Sequence, residues 1–417
     1  MKADLIIYNA REIATMKSGS KAKCGSDMND AGVIKDAGMA IKDGKIIAIG
    51  ASSEIQQNYS WDTVIDAEGK IITPGFVDSH THPVFVHTRE DEFAMRLAGK
   101  SYVEIAMAGG GIRSSIASTR AASEEELFEL AKGRIIRMIA QGTTTLEAKS
   151  GYGLNTESEL KQLRVIQSLN ESLPIDIIAT FMGAHEFPEE YKSDHESYLK
   201  ILCEEMIPAA KEQGVAEFCD IFTEAHVYSI EESRRVLSCA ADHGFKLKMH
   251  ADEIEAIGGA ELAAELKCVS ADHLGAASDA GILAMKAAGV IPVLLPATLF
   301  SLRSRTYARG RYMIEQGLPV AIATDYNPGS CNCDSMAFTM SLACLQMGLS
   351  PVEALAAATI NAAHALGRGD VCGSLEIGKQ ADLIIWDIPS INFIPYHLGS
   401  SHISRVLKLG KTIWQEN

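Results

Sequence analysis

The chain has 417 residues, with 38 Lys and Arg against 54 Asp and Glu, giving a formal charge of −16. Its length allows two or three average domains, or one large barrel with an appendage, and a hydrophobic fraction of 47% is ample for a sizeable core. The acidic balance argues against nucleic acid and anionic membranes as partners, since both need clustered Lys and Arg. It leaves open a small anion, which a single local Arg can hold. The opening MKADLIIYNA turns polar too early for a signal peptide, and there is no run of about 18 apolar residues, so no membrane span is expected. The nine cysteines include no CxxC pair and read as reduced thiols of a cytoplasmic protein. Cys331 and Cys333, one residue apart, read as two loop cysteines.

In chain order, residues 1–72 offer short strands separated by turns: DLIIYNA, AGMAIKDGKIIAIG and TVIDAEGKIITPG. Asp43-Gly44, between Lys42 and Lys45, is a two-residue hairpin turn. From residue 73 the pattern changes to helices alternating with apolar strands. Strands are expected at 75–82, 143–151, 174–185, 217–226, 246–253, 268–274, 291–296 and 319–325. Ser123 with Glu126, and Ser229 with Glu232, are capping boxes that start helices; Gly142 and Gly244 stop them. Nearly continuous apolar strands suit a parallel sheet covered on both faces. Eight of them in about 250 residues is the content of an α/β fold of the (β/α)8 TIM-type barrel class. A doubly wound open sheet is the alternative, but no GxGxxG opens a helix; Gly109, Gly110 and Gly111 follow no strand and read as a loop. A last helix is expected over SPVEALAAATINAAHALG, from the Ser350 cap and Pro351 to Gly367, closing a barrel of residues 73–368. Residues 369–417 contain the hairpin-like SLEIGKQADLIIWDI and SRVLKLGKTIW. They are expected to pair with residues 1–72 into one small composite β-sandwich.

The polar residues of the barrel strands fall at their carboxyl ends, the face where barrel enzymes carry their active sites. Strand one ends in His80 and His82, strand three in His185, strand four in Glu224 and His226, strand five in His250 and Glu253, strand six in Asp272 and His273, and strand eight in Asp325. His80 and His82 are two apart on a strand and point the same way. With His250 and Asp325 they make a mixed nitrogen and oxygen set that suits Zn2+ or Fe2+ and leaves room for water. Such a metal lowers the pKa of water toward about 7. Asp325 can both ligate and accept a proton, His273 can position and polarise, and Glu253 can move protons; these three form the candidate catalytic group.

PGFVDSHTHPVF, together with a His ending strands five and six and an Asp ending strand eight, resembles the amidohydrolase superfamily. Many members hold two metals bridged by a carbamylated Lys ending strand four. Here that strand ends FTEAHV and Lys149 ends strand two, so the resemblance points to the one-metal branch. Within it, THPVFVHTREDEFAMRLAGKSYVEIAMAGGGI, EAKSGYGL, FMGAHEFP, MHADE, ADHL and ATDYNPGSC extend the similarity over essentially the whole chain. The resemblance implies one Zn2+ or Fe2+/Fe3+ per subunit on His80, His82, His250 and Asp325. It also implies hydrolytic ring opening of 4-imidazolone-5-propanoate to N-formimidoyl-L-glutamate, in histidine degradation. The substrate contacts it implies are Arg89 and Tyr152 on the propanoate, His185 on the ring or its carbonyl, and Asn327, Gly329, Ser330 and Glu253. The expected partner is a small molecule, and a homodimer is expected because dimers are common among such barrels. A deaminase that releases ammonia and a non-enzymatic scaffold are the rival readings.

Overall fold

The computed structural model describes residues 1–100, 104 and 110–416. Its chain starts with β1 (Lys2–Ala14), β2 (Val33–Lys42), β3 (Lys45–Ala51), β4 (Ser60–Asp66) and β5 (Ile71–Pro74). The Asp43-Gly44 turn joins β2 to β3 with Lys42 opposite Lys45, and both turn residues have positive φ, as a primed hairpin turn requires. The barrel strands follow: β6 (Phe76–Asp78), β7 (Thr143–Lys149), β8 (Asp176–Ala184), β9 (Phe218–Thr223), β10 (Lys246–Ala251), β11 (Ser270–His273), β12 (Ile291–Leu294) and β13 (Ala321–Ile322). Each lies inside one of the eight expected segments, and the eight pair in sequence order, all parallel. Burial explains their composition: every residue of β7 is buried, so the strand carries no alternation of exposed polar side chains.

The ladder stops between β13 and β6, and other contacts close the ring there. Thr81 bridges Tyr326 in parallel, the Asp325 N–H donates to the His80 carbonyl at 3.1 Å, and the His82 N–H donates to the Tyr326 carbonyl at 2.8 Å. Below them Thr324 donates its N–H and its hydroxyl to the two Asp78 oxygens at 3.0 and 2.6 Å. This seam brings the expected HxH pair directly alongside Asp325.

The helix expected over 351–366 is two helices, Pro351–Ala357 and Ile360–Ala365. Ser350 caps the first as expected, and does so in a capping box with Glu353. The break comes at Thr359, whose backbone leaves the helical region, and the Ala358 carbonyl instead accepts the Val77 N–H of β6 at 3.0 Å. A strand donor thus replaces a helix bond, an exchange invisible to propensity.

The chain ends supply β14 (Leu383–Trp386), β15 (Ile403–Lys408) and β16 (Lys411–Gln415). They join the first five strands in one mixed sheet, β16-β15-β14-β5-β1-β2-β3, with β4 beside β1. The expected sandwich is therefore a single sheet curled on itself. Its inner face buries Ile7, Ile13, Met39, Ile41, Ile72, Leu383, Ile385 and Leu407. The turn at Gly44 packs on Leu409 at the other end of the sheet.

Lys408 ties this sheet to the barrel. It is 4% exposed and donates to Asp176 of β8 at 2.6 Å, to Asp382 at 2.7 Å and to Gln380 at 3.0 Å. Removing the cation would leave the buried Asp382 carboxylate uncompensated, which costs more than the pair gains. Lys408→Met is expected to lower unfolding stability by about 3–5 kcal/mol, measured by denaturant titration; a change near zero would show that the clamp carries no weight.

Candidate metal centre and active site

The barrel interior carries an unusual load of charge. Glu147, Lys149, Asp220, Lys248 and Asp272, from β7, β9, β10 and β11, are all fully buried. Lys149 lies 2.6 Å from Asp220 Oδ2 and 2.9 Å from Glu147 Oε2; Lys248 lies 3.1 Å from Glu147 Oε2 and donates to the Ser79 carbonyl at 3.0 Å. Burial opposes the charge of Lys149, but the carboxylates of Asp220, Glu147 and Asp272 outweigh it and raise its pKa. Burial likewise works against Asp220, whose pKa His250 and Lys149 nonetheless hold well below the usual carboxylate range.

Above this layer the strand ends converge. Asp272 Oδ2 lies 2.6 Å from His80 Nδ1. A carboxylate there accepts, so Nδ1 carries the hydrogen and His80 Nε2 is left as a free donor atom. That Nε2 lies 3.3 Å from His82 Nε2, and Asp325 Oδ1 lies 3.6 and 3.8 Å from the two. Burial, more than any neighbouring charge, keeps both imidazoles neutral by lowering their pKa far below the ordinary value. Two buried neutral imidazoles whose nitrogens face each other and a carboxylate oxygen form a donor set arranged around a cation. His80 belongs to a second trio as well, with His250 and His273; within each trio the ligand atoms lie within 4.8 Å of one another. The two trios share His80, so His82 and Asp325 on one side and His250 and His273 on the other make up a donor set of the kind that fits a divalent metal.

Backbone geometry at the mouth is unusual. Asp252, His273, Leu274 and Asp325 all have positive φ without being glycine. Such conformations cost of order 1–3 kcal/mol each and persist where surrounding contacts enforce them. The enforcing contacts are visible: Asp252 accepts four N–H groups between residues 257 and 260, and Thr298 donates its hydroxyl to Asp325 Oδ2 at 2.6 Å. Asp325 is pushed up to about 6 by burial, against the Thr298 hydrogen bond and the charge of His250.

A cavity of about 100 Å³ opens on the cluster, lined by His82, Arg89, Ile112, Tyr152, His185, Phe222, His250, Glu253, His273, Asp325, Asn327 and Ser330. All the expected site residues except His80 and Gly329 line it, and those two lie directly behind it. His185 stacks on His82, with ring centroids 5.1 Å apart. Its Nδ1 lies 3.0 Å from the Gly151 carbonyl and therefore donates; burial lowers its pKa to about 3, so Nε2 is an acceptor. This ring can accept from an N–H and cannot donate to a carbonyl. Glu253 lies 3.4 Å from His273 Nδ1. Burial pushes it up to about 8, helped by the charges of Asp325 and Glu224, so it holds its proton at neutral pH. Glu224, from the end of strand four, accepts the N–H groups of Ile254 and Glu255 and shapes this loop. His226 is exposed and pairs with Glu255, outside the cavity.

Arg89 pairs with neither Glu90 nor Asp91. It lies 3.6 Å from Glu92, whose other oxygen accepts the Gly111 N–H at 2.7 Å, so the glycine loop is tied to the arginine; Gly109 lies outside the described residues. The Arg89 guanidinium lies directly against Gly329: a Cβ there would sit 1.3 Å from Nη2. Gly329 therefore makes space for the cation. Asn327 is spent on its own loop: Oδ1 accepts the N–H of Gly329 and of Ser330 at 2.8 Å, and Nδ2 donates to the Asp325 carbonyl and Ser330 Oγ. Its side chain shapes the loop and has no hydrogen left to offer a ligand. Cys331 donates to the Thr324 carbonyl and Cys333 to the Ser335 carbonyl, and all nine cysteines are free thiols.

A parallel barrel with a His and Asp donor set at its carboxyl mouth defines the class, and comparison with known proteins agrees. The amidohydrolase family model matches residues 71–413. The imidazolonepropionase of Alkaliphilus oremlandii (strain OhILAs) is 47% identical over 416 residues, covering 99% of this chain and 98% of its own. That of Symbiobacterium thermophilum is 49% identical over 417 residues, with 99% and 98% covered. The chain belongs to the amidohydrolase family and, within it, to the imidazolonepropionase family. Among solved structures, guanine deaminase of E. coli superposes with a TM-score of 0.73 at 16% identity, covering 99% of each chain. A zinc-bound adenosine deaminase from Xanthomonas campestris gives 0.72 at 18%, covering 99% of this chain and 93% of its own. At those identities the likeness is one of fold.

The residues that sequence reasoning missed are those beneath the donors: Thr298, Glu147, Asp220 and Lys248. Thr298 is neutral and gave no signal; Lys248, two residues before His250 and so on the same face of its strand, could have been found from that spacing. Thr298→Val would free Asp325 Oδ2. Metal affinity is expected to fall about 10–100-fold, as for other residues that orient a ligand, measured by chelator competition; unchanged affinity would show that Asp325 needs no support.

Proposed function

We propose that this chain hydrolyses 4-imidazolone-5-propanoate to N-formimidoyl-L-glutamate, a ring-opening step in histidine degradation, using one Zn2+ or Fe2+/Fe3+ ion. The observation that carries it is the pairing, in one small cavity, of a cation on one side with the His and Asp cluster on the other, in a chain nearly half identical to imidazolonepropionases over its whole length. A molecule with one carboxylate arm and one hydrolysable ring carbonyl matches that polarity. Free thiols throughout the chain fit a reducing cytoplasm.

His80, His82, His250 and Asp325 would hold the ion, which when bound supplies a Lewis acid that polarises oxygen and acidifies water. Arg89 binds the propanoate with its guanidinium and fixes the ring's distance from the cluster. Tyr152, buried beside His185, donates to the same carboxylate. His185 Nε2 accepts from a ring N–H, which selects the ring's orientation. Ser330 and the loop held by Asn327 close the pocket side. Asp325 accepts the proton of the attacking water. His273 lies beside Glu253 and polarises the carbonyl oxygen as it gains charge. Glu253, carrying a proton at neutral pH, delivers it to the departing ring nitrogen.

Ring opening releases nothing but the opened product. Imidazolone absorbance should therefore disappear without ammonia; stoichiometric ammonia would instead establish a deaminase. Arg89→Ala should raise KM roughly 100-fold, the loss of a charged hydrogen bond of about 3 kcal/mol, with metal content unchanged. Gly329→Ala, which displaces the guanidinium without removing it, should move KM in the same direction. If both variants keep the native KM, Arg89 does not bind the carboxylate.

A further inference from the structure

We infer that Glu159 is a positioning residue for the substrate's ring: through the Gly151 carbonyl it holds His185 with Nε2 left to accept from the ring's N–H. The inference deepens the function proposed above and rests on it.

Glu159 lies on the helix Thr156–Ser172 and is fully buried. Its Oε2 accepts the Gly151 N–H at 2.9 Å, and its Oε1 accepts the N–H groups of Gly153 and Leu154, both at 2.8 Å. Gln162, three residues on and so on the same helix face, donates to Glu159 Oε1 at 3.3 Å and accepts the Tyr152 N–H at 3.4 Å. The N–H groups of residues 151 to 154 thus all end on two side chains of the helix that follows. The turn they shape delivers two groups to the site. Tyr152 lines the cavity, and the Gly151 carbonyl accepts from His185 Nδ1 at 3.0 Å. A Cβ at Gly151, where φ is +111°, would sit 2.8 Å from that nitrogen, so glycine alone lets this carbonyl and ring meet.

The turn needs a side chain with two acceptor atoms. Glutamine offers one oxygen and one NH2 group. In its place the oxygen would stay on the Oε1 side, where the Gly153, Leu154 and Gln162 donors converge. The NH2 would then face the Gly151 N–H, donor against donor, and Gly151 must shift away from His185. Once Nδ1 loses its acceptor, the ring's hydrogen is free to sit on Nε2, and the imidazole donates where it has to accept. Binding of the substrate's ring suffers, while His80, His82, His250 and Asp325 lie on other strands.

The test is the kinetics of Glu159→Gln in zinc-loaded protein, alone and combined with His185→Ala. Alone it should raise KM for 4-imidazolone-5-propanoate about tenfold, the worth of one hydrogen bond, with kcat and metal content unchanged. In the His185→Ala background the same substitution should move KM less than about twofold, because the two residues act through one contact. An unchanged KM, or an equal rise in both backgrounds, overturns the inference. Nitrogen NMR of histidine-labelled protein supplies a second readout, the His185 signal being the one lost in His185→Ala. Native His185 should carry its hydrogen on Nδ1, and Glu159→Gln should move it toward Nε2; a native Nε2–H overturns the inference. Native protein that leaves the substrate intact overturns the proposed function instead. Should Glu159→Gln not fold, Glu159→Asp, whose carboxylate is set back from the turn by one methylene, takes its place with the same expected and overturning results.

Discussion

The seam between β6 and β13 is the constraint on which the site depends. Strand pairing ends there, and Asp78, Thr81, His80 and His82 close the ring through backbone and carboxylate contacts with Thr324, Asp325 and Tyr326. Closing the barrel and assembling the donor set are thus the same event. The N–H of Asp325 binds the carbonyl of His80, so the side chains of the first and last strands meet because their backbones do. The Asp78 carboxyl, pushed up to about 7 by burial against the pull of two Thr324 hydrogen bonds, belongs to this seam. So does the helix break at Thr359, since the Ala358 carbonyl takes up the remaining β6 donor.

Electrostatics then sort the site by height. Deep in the barrel, their ion pair favours the charged forms of Lys149 and Asp220 despite burial. At the mouth, burial leaves the imidazoles of His80 and His82 neutral and Glu253 protonated. This ordering suits the proposed hydrolysis, which calls for lone pairs for a metal, an acceptor for the water's proton and a donor for the leaving nitrogen, with a fixed cation set apart for the substrate's charge. The deep layer does no chemistry itself, but it fixes which nitrogen of His80 faces the mouth.

Much of this was legible in the chain. Eight apolar runs, six of them ending in His, Asp or Glu, located the barrel strands and the donors, because buried parallel strands leave a nearly continuous apolar signal that polar ends interrupt. Asp43-Gly44, the Ser229 box and the Ser350 cap announced their turn and helix starts. What stayed hidden depends on direction. Glu147 and Lys149 sit in a strand whose faces are both buried, so pattern alone does not say which charges look into the barrel. Asn327 had a suitable side chain in a suitable loop, and only its hydrogen bonds reveal that the loop consumes it. Gly329 matters through what it omits, which becomes apparent only with Arg89 in place.

The curled sheet has a consequence for how the molecule is made. β5 lies between β1 and β14 and is completed only by the latter, yet the chain runs from Pro74 to Leu383 before β14 begins. At cellular synthesis rates that interval is on the order of 15–60 s. Throughout it, the early strands of the nascent chain present an apolar edge with no neighbour, the kind of edge that recruits other chains. In the barrel the strands arrive in pairing order, and only β6 waits for its seam partner beyond β13. Shielding the first strands until the last ones emerge is therefore a demand that this topology places on folding.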